Sequence, residues 1–236
     1  VMLQNNTDSL VKITNGDRAL YVGMQLDEAK YNNNGRAGRI SELLTPVVKA
    51  FLTDKGLDGA EMGQQVLGGH GFIKEWGMEQ IVRDARIGQI YEGANGIQAL
   101  DLVGRKIMRD GGGLMLELIA EMQAADVDEA YKAELIEACD RLARSTQSIV
   151  ARGKNEPHLP GAVSVDYLDM VGMTMCAWVW ALMASRAPDD DFGVAKKATA
   201  RYFYDRLLPK TLGLERSIEA EADAVMEMPQ GLFSPS

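Results

Sequence analysis

The chain has 236 residues, 46% of them hydrophobic and 25% charged, with a net charge of −9. That is enough for one large domain or two small ones, and it excludes a chain that is mostly disordered. The acidic balance gives no general attraction to nucleic acid or anionic lipid, and two cysteines and two histidines suggest neither a disulfide scaffold nor a metal set.

The opening stretch, VMLQNNTDSL, has no basic segment and no long apolar run, so it does not read as a signal peptide. It reads as the inside of a helix, and the chain is expected to be a piece of a longer one. The cysteine usage fits a reducing, cytoplasmic setting. Strand signals are nearly absent, and the fold class is all-α. Helices are predicted near 2–33, 39–56, 58–68, 76–86 and 95–109, with Pro46 expected to kink or restart the second. RDGGGL, Arg109 to Leu114, is the natural boundary, because three consecutive glycines are costly inside a helix. Residues 1–110 carry a net charge of −1 and residues 111–236 a net charge of −8. Two helical domains, 1–110 and 111–236, follow from that break.

In the second half helices are predicted near 114–124, 127–153, 162–186, 192–207 and 209–227, with Pro209 opening the last. The acids of APDDD, 187–191, are placed to cap the helix near Phe192. Met170 to Ser185 is uncharged over 16 residues, short of the roughly 18–20 needed to span a bilayer. A helix buried in a bundle is the expected reading, with Trp178 and Trp180 in the core.

Three segments could carry chemistry. The first is the helix end bearing Gln64 and Gln65, followed by Gly68, Gly69 and Gly71. A C-cap explains one such glycine; the surplus suggests close approach of a ligand to the main chain. No strand precedes them, so this is not a dinucleotide-binding fingerprint. The second is the pair Glu79 and Arg83, at i,i+4 spacing, which reads as a solvated face. The third is QIYEGANGIQALDLVGRKI, Gln89 to Ile107. Here Glu92 is either an acid favoured by the dipole of the following helix or a general base in a pocket lined by Ile90 and Tyr91. Local spacing favours the first. Ile97, Leu100, Gly104 and Ile107 form the expected buried stripe of that helix, with Gly104 against another backbone. Gln98 and Asp101 face away from it.

The run QQVLGGHGFIKEWGMEQIVRDARIGQIYEGANGIQALDLVGRKI closely resembles the C-terminal helical domain of acyl-CoA dehydrogenases. Residues 111–236, including ARYFYDRLLPKTLGLERSIEAEADAVMEMP, resemble the extra helical domain of longer bacterial members such as the 3-methylmercaptopropionyl-CoA dehydrogenases. The resemblance implies an FAD-dependent oxidoreductase of fatty acid β-oxidation. A glutamate takes the α-proton of an acyl-CoA thioester, the β-hydride goes to FAD, and a trans-2-enoyl-CoA results. The base of the Tyr-Glu-Gly motif falls on Glu92, reversing the weight given by spacing alone. Its backbone N–H would be a donor to the thioester oxygen, and Tyr91 and Gly93 would lie against substrate. The Gln-x-x-Gly-Gly motif falls on Gln65, Gly68 and Gly69, which would contact FAD held mainly by a neighbouring subunit. A homodimer at least, and electron-transferring flavoprotein as electron acceptor, follow from the same resemblance.

This sequence departs from the pattern at Ala94, where many relatives have Thr, and at Gly96, where some have Gln. The family's N-terminal helical domain and middle β-domain have no counterpart in these residues. The expectation is that this portion alone neither holds FAD tightly nor turns over. Two other readings stay open: a helical assembly module without chemistry, and a DNA-associated flavoprotein of the same fold. The acidic second half speaks against the latter.

Overall fold

The structure, a computed structural model, describes residues 19–226 and residue 231. Among them every regular element is helical. Helix α1 occupies residues 19–31, and the part predicted at 2–18 lies outside the described residues. Asn34 then caps α2, its side chain accepting from the N–H groups of Arg36 and Ala37. Helix α2 runs Gly35–Leu67 without a break, so the predicted division into 39–56 and 58–68 is corrected. Neither Pro46 nor Gly56 ends it. Proline removes one backbone bond, but the turns around it bury Leu43, Leu44, Val47, Ala50 and Phe51, and that packing outweighs the local cost.

After α2 come α3, Gly69–Phe72, a 3₁₀ turn at Lys74–Trp76, and α4, Met78–Ile87. Helix α5, Asn95–Leu100, continues as a π-helical segment, Asp101–Ile107, and a final turn, α6, Met108–Asp110. The Met108 N–H reaches the Val103 carbonyl, five residues back. The buried positions on this helix are Ala99, Leu102, Val103 and Ile107. Of the predicted stripe only Ile107 is buried; Ile97 and Leu100 are exposed, and Gly104 has no backbone against it. The helix carries two apolar faces, and the sequence pattern selected the outer one.

Asp110 accepts hydrogen bonds from the N–H groups of Gly112 and Leu114, which fixes the glycine link. Beyond it lie α7, Gly113–Gln123, α8, Glu129–Arg152, and α9, Leu159–Ser185. Helix α10, Asp191–Tyr202, begins at Asp190, whose side chain accepts from the Gly193 N–H at 2.8 Å, one of the acids read as a cap. It passes into a second π segment, Phe203–Leu207, followed by α11, Lys210–Ile218, after Pro209, and α12, Asp223–Met226. The single helix predicted at 209–227 is therefore interrupted after Ile218.

Helix α9 is the axis of the molecule. By length and composition it could cross a membrane, but 72% of its apolar window is buried among the other helices. It packs against α2, α5, α8, α10 and α11. One continuous hydrophobic core therefore draws on residues from both sides of the glycine link. Phe51 of α2 lies on Gly172 of α9, where a Cβ would stand 2.6 Å from two of its ring carbons. Arg36 of α2 also bridges to Glu121, at 2.9 Å, and Glu117, at 3.5 Å, on α7. Trp178 and Trp180 are buried, as expected of core residues.

Candidate functional site

Glu92 sits in the loop between α4 and α5. Its backbone is left-handed, with φ +53°, and Gly93 follows at φ +92°. For a glutamate this conformation is strained by about 1–3 kcal/mol and persists only where the surroundings enforce it. The enforcing residue is Asn95. Its side-chain N–H groups donate to the Ala50 carbonyl, Thr53 Oγ1 and Asp54 Oδ1, at 3.2, 2.9 and 2.7 Å. Its Oδ1 accepts from Lys49 Nζ at 2.8 Å, and the same ammonium also donates to the Gly93 carbonyl. Gln89 Nε2 donates to Asp54 Oδ1 at 2.6 Å, and Gln98 Nε2 donates to the Glu92 carbonyl at 3.1 Å. The loop is thus tied at both ends to α2 and folded back on α5.

Asn95, Lys49, Gln89 and Asp54 were not singled out from sequence. Asn95 and its α2 partners are more than 40 residues apart, so no local pattern could reveal them. Of the two residues facing away from the stripe, Gln98 supports the loop and Asp101 pairs with Arg105 at 2.8 Å.

Glu92 lies two residues ahead of the N-cap of α5, outside its first turn. Helix α5 begins at Asn95 with Ala94 as its N-cap, and no acid lies in its first turn. Among the described residues no enclosed pocket forms around Glu92. Glu92 is exposed, and Ile90 and Tyr91 are 50% and 54% exposed. Phe72, Trp76 and Ile97 are exposed by 76%, 56% and 61% along the same stretch. An apolar surface of this kind signals burial against another body of protein or a ligand.

The glycine segment sorts itself by need. Gly68 ends α2 with φ +58°, a conformation that favours glycine. Gly71 is buried over the last turn of α2, and an added Cβ would collide with the Gln64 carbonyl. Gly69 has neither constraint: its φ is ordinary and a Cβ would meet nothing within 4 Å. Its small size answers no demand within the described residues. Gln65 is exposed and lines a groove of about 540 Å³ with Met62, Met173 and Lys210. His70 packs edge-on against Trp76 at 4.8 Å. Glu79 and Arg83 form the expected solvated pair at 2.8 Å, and hydrogen bonding to Arg83 lowers the Glu79 carboxyl. No group of metal-ligating residues occurs among the described residues.

Comparison with known proteins gives two consecutive family matches. Residues 24–108 match the family described as acyl-CoA dehydrogenase, C-terminal domain, and residues 115–229 match acetyl-CoA dehydrogenase C-terminal like. The chain is 34% identical to a 3-methylmercaptopropionyl-CoA dehydrogenase of Ruegeria pomeroyi, over 91% of this chain and 40% of that protein. It is 27% identical to the broad-specificity linear acyl-CoA dehydrogenase FadE5 of Mycobacterium tuberculosis, over 84% and 36%. A butyryl-CoA dehydrogenase of Syntrophomonas wolfei is 26% identical, over 80% and 34%. The chain thus spans well under half the length of these relatives.

Proposed function

The chain belongs to the acyl-CoA dehydrogenase family, and from that premise we propose that it forms the C-terminal part of an FAD-dependent enzyme that converts acyl-CoA thioesters to trans-2-enoyl-CoA. The observation that carries the proposal is the left-handed backbone of Glu92, held by Asn95, Lys49 and Gln98 on an open apolar surface. A glutamate kept in that conformation at some cost in stability is better accounted for by chemistry than by folding.

In this reading Glu92 removes the α-proton. An α C–H is a very weak acid, so the base must be kept from water and the thioester oxygen must receive hydrogen bonds as enolate charge develops. The exposed Ile90 and Tyr91 would be covered by the rest of the enzyme and so dry the site. The N–H of Glu92 is assigned to the thioester oxygen. Gly93, with no side chain and with its carbonyl held by Lys49, lets the substrate approach the main chain. Bound flavin would supply the acceptor for the β-hydride. Gln65, Gly68 and Gly69 are assigned to the flavin of a neighbouring subunit, the open backbone at Gly69 being the supporting feature. A homodimer, reoxidation by electron-transferring flavoprotein and a cytoplasmic place in fatty acid β-oxidation complete the proposal.

The test uses the complete reading frame beside its Glu92→Gln version, with acyl-CoA thioesters added without oxygen while flavin absorbance is followed. The parent should bleach, and the variant should hold FAD without bleaching. Equal bleaching would place the base elsewhere. Bleaching of neither, with any thioester, would move the fold to a non-catalytic role.

A further inference from the structure

A second cleft, of about 210 Å³, lies where α2, the helix ending at Asp110 and the start of α7 meet. It is lined by Arg39, Arg105, Lys106 and Arg109 against Glu42 and Asp110. In a chain of net charge −9, four cations at one cleft run against the overall balance. Some local charge is already committed. Arg105 is paired with Asp101, and the Asp110 carboxylate is occupied by the N–H groups of Gly112 and Leu114 at 2.9 and 3.0 Å. Arg39, Lys106 and Arg109 have no ion pair or side-chain hydrogen bond among the described residues. Glu42 and Asp110 are the acids of the lining, and Asp110 keeps its negative charge while it accepts those N–H groups.

Buried Leu43 and partly buried Leu114 supply an apolar wall, which strengthens electrostatic attraction at the cleft. Guanidinium forks match phosphate oxygens in pairs, and an ammonium adds a compact point charge. The four cations of the lining exceed its two acids by two, and a diphosphate meets that excess while offering oxygens to each of Arg39, Lys106 and Arg109. A space of this size admits phosphoryl groups and not a folded partner.

We propose that this cleft binds a small phosphate-bearing anion of the diphosphate class, with Arg39, Lys106 and Arg109 as its contacts. It lies against the glycine link. Arg39 belongs to α2, and Lys106 and Arg109 to the helix that leads into the link, so a shared anion ties the two together. The site is separate from the Glu92 loop, and the inference does not depend on the acyl-CoA reading.

The test is isothermal titration of the 236-residue chain at low ionic strength with inorganic pyrophosphate and, separately, with ADP. Saturable binding at one site is expected, weakened about tenfold or more by Arg39→Gln and by Arg109→Gln, and weakened by added salt. Both arginines are exposed, and unchanged thermal midpoints verify that the variants fold. Arg83→Gln, which alters a solvated pair on α4, should leave binding intact. Tighter ADP binding supports the proposal with a nucleotide as source, and tighter pyrophosphate binding supports it with a free diphosphate. Absence of saturable binding by both, or equal weakening by Arg83→Gln, overturns it. Binding of polyglutamate in place of both phosphates also overturns it, in favour of an acidic protein surface.

Discussion

Gly172→Ala tests the central contact of the fold. A Cβ at Gly172 would stand 2.6 Å from Cε2 and Cγ of Phe51, and closer still to Cδ2. Ordinary contact begins at 3.4 Å, so the ring or the helix must move by roughly 0.8 Å or more. Phe51 is 1% exposed and has no open direction in which to turn. Overpacking of this kind costs about 1–3 kcal/mol. Replacing glycine by alanine within a helix returns up to about 1 kcal/mol, so the expected net loss reaches up to about 2 kcal/mol. Urea denaturation followed by tryptophan fluorescence would measure it. Phe51→Ala, which removes every ring carbon that the added Cβ would meet, should relieve the clash, so that the double variant is less destabilised than the sum of the singles, by about 1 kcal/mol. A stabilising Gly172→Ala, or strictly additive variants, would mean that α2 and α9 do not pack in this way and that the shared core is wrong.

Asn95→Ala removes the side-chain bonds to Lys49, Ala50, Thr53 and Asp54, and should cost about 1–3 kcal/mol and speed amide exchange across residues 88–95; unchanged exchange there would show that the loop is held by other means. Burial pushes the Asp169 carboxyl up to about 6, with Asp54, Asp166 and Asp58 adding to the shift and Lys55 opposing it. Because the folded value lies above the ordinary 3.8, its favourable contribution is complete below about pH 4 and is lost as pH rises through 6. Asp169→Asn should therefore gain roughly 1–3 kcal/mol on the parent between pH 4 and 7, and a pH-independent difference in urea midpoints would contradict this. Burial also pushes the Cys139 thiol up to about 12, so iodoacetamide at pH 8 should label it only after denaturation. Rapid labelling of the native protein would show that α8 opens readily.

The helices were legible because burial on one face leaves a 3.6-residue period, and the uncharged run of α9 marked the central element. The cap at Asp190 and the turn at Gly111–Gly113 were legible because their chemistry is local. The continuity of α2 through Pro46 was not, since tertiary packing by Leu43, Val47 and Phe51 overrides the propensity of one residue. The π segment at Asp101–Ile107 leaves no compositional mark. The misassigned face of the Asn95–Asp110 helix has a different cause. Period alone reports that a face is apolar, and cannot tell whether its partner is the same chain or another body. Ala99, Leu102 and Val103 meet this chain's own core, whereas Ile97 and Leu100 do not. The same limit governed Glu92. Sequence offered a helix-start acid or a base, and gave no sign of the left-handed backbone that the ties to α2 accompany. The α2 partners of Asn95 are distant in sequence, and no described residue provides a surface that closes over Glu92. A loop fixed at some cost beneath an uncovered apolar face has half of what a buried base requires, its rigidity. The other half, exclusion of water, has to be contributed by whatever covers Ile90, Tyr91 and Ile97.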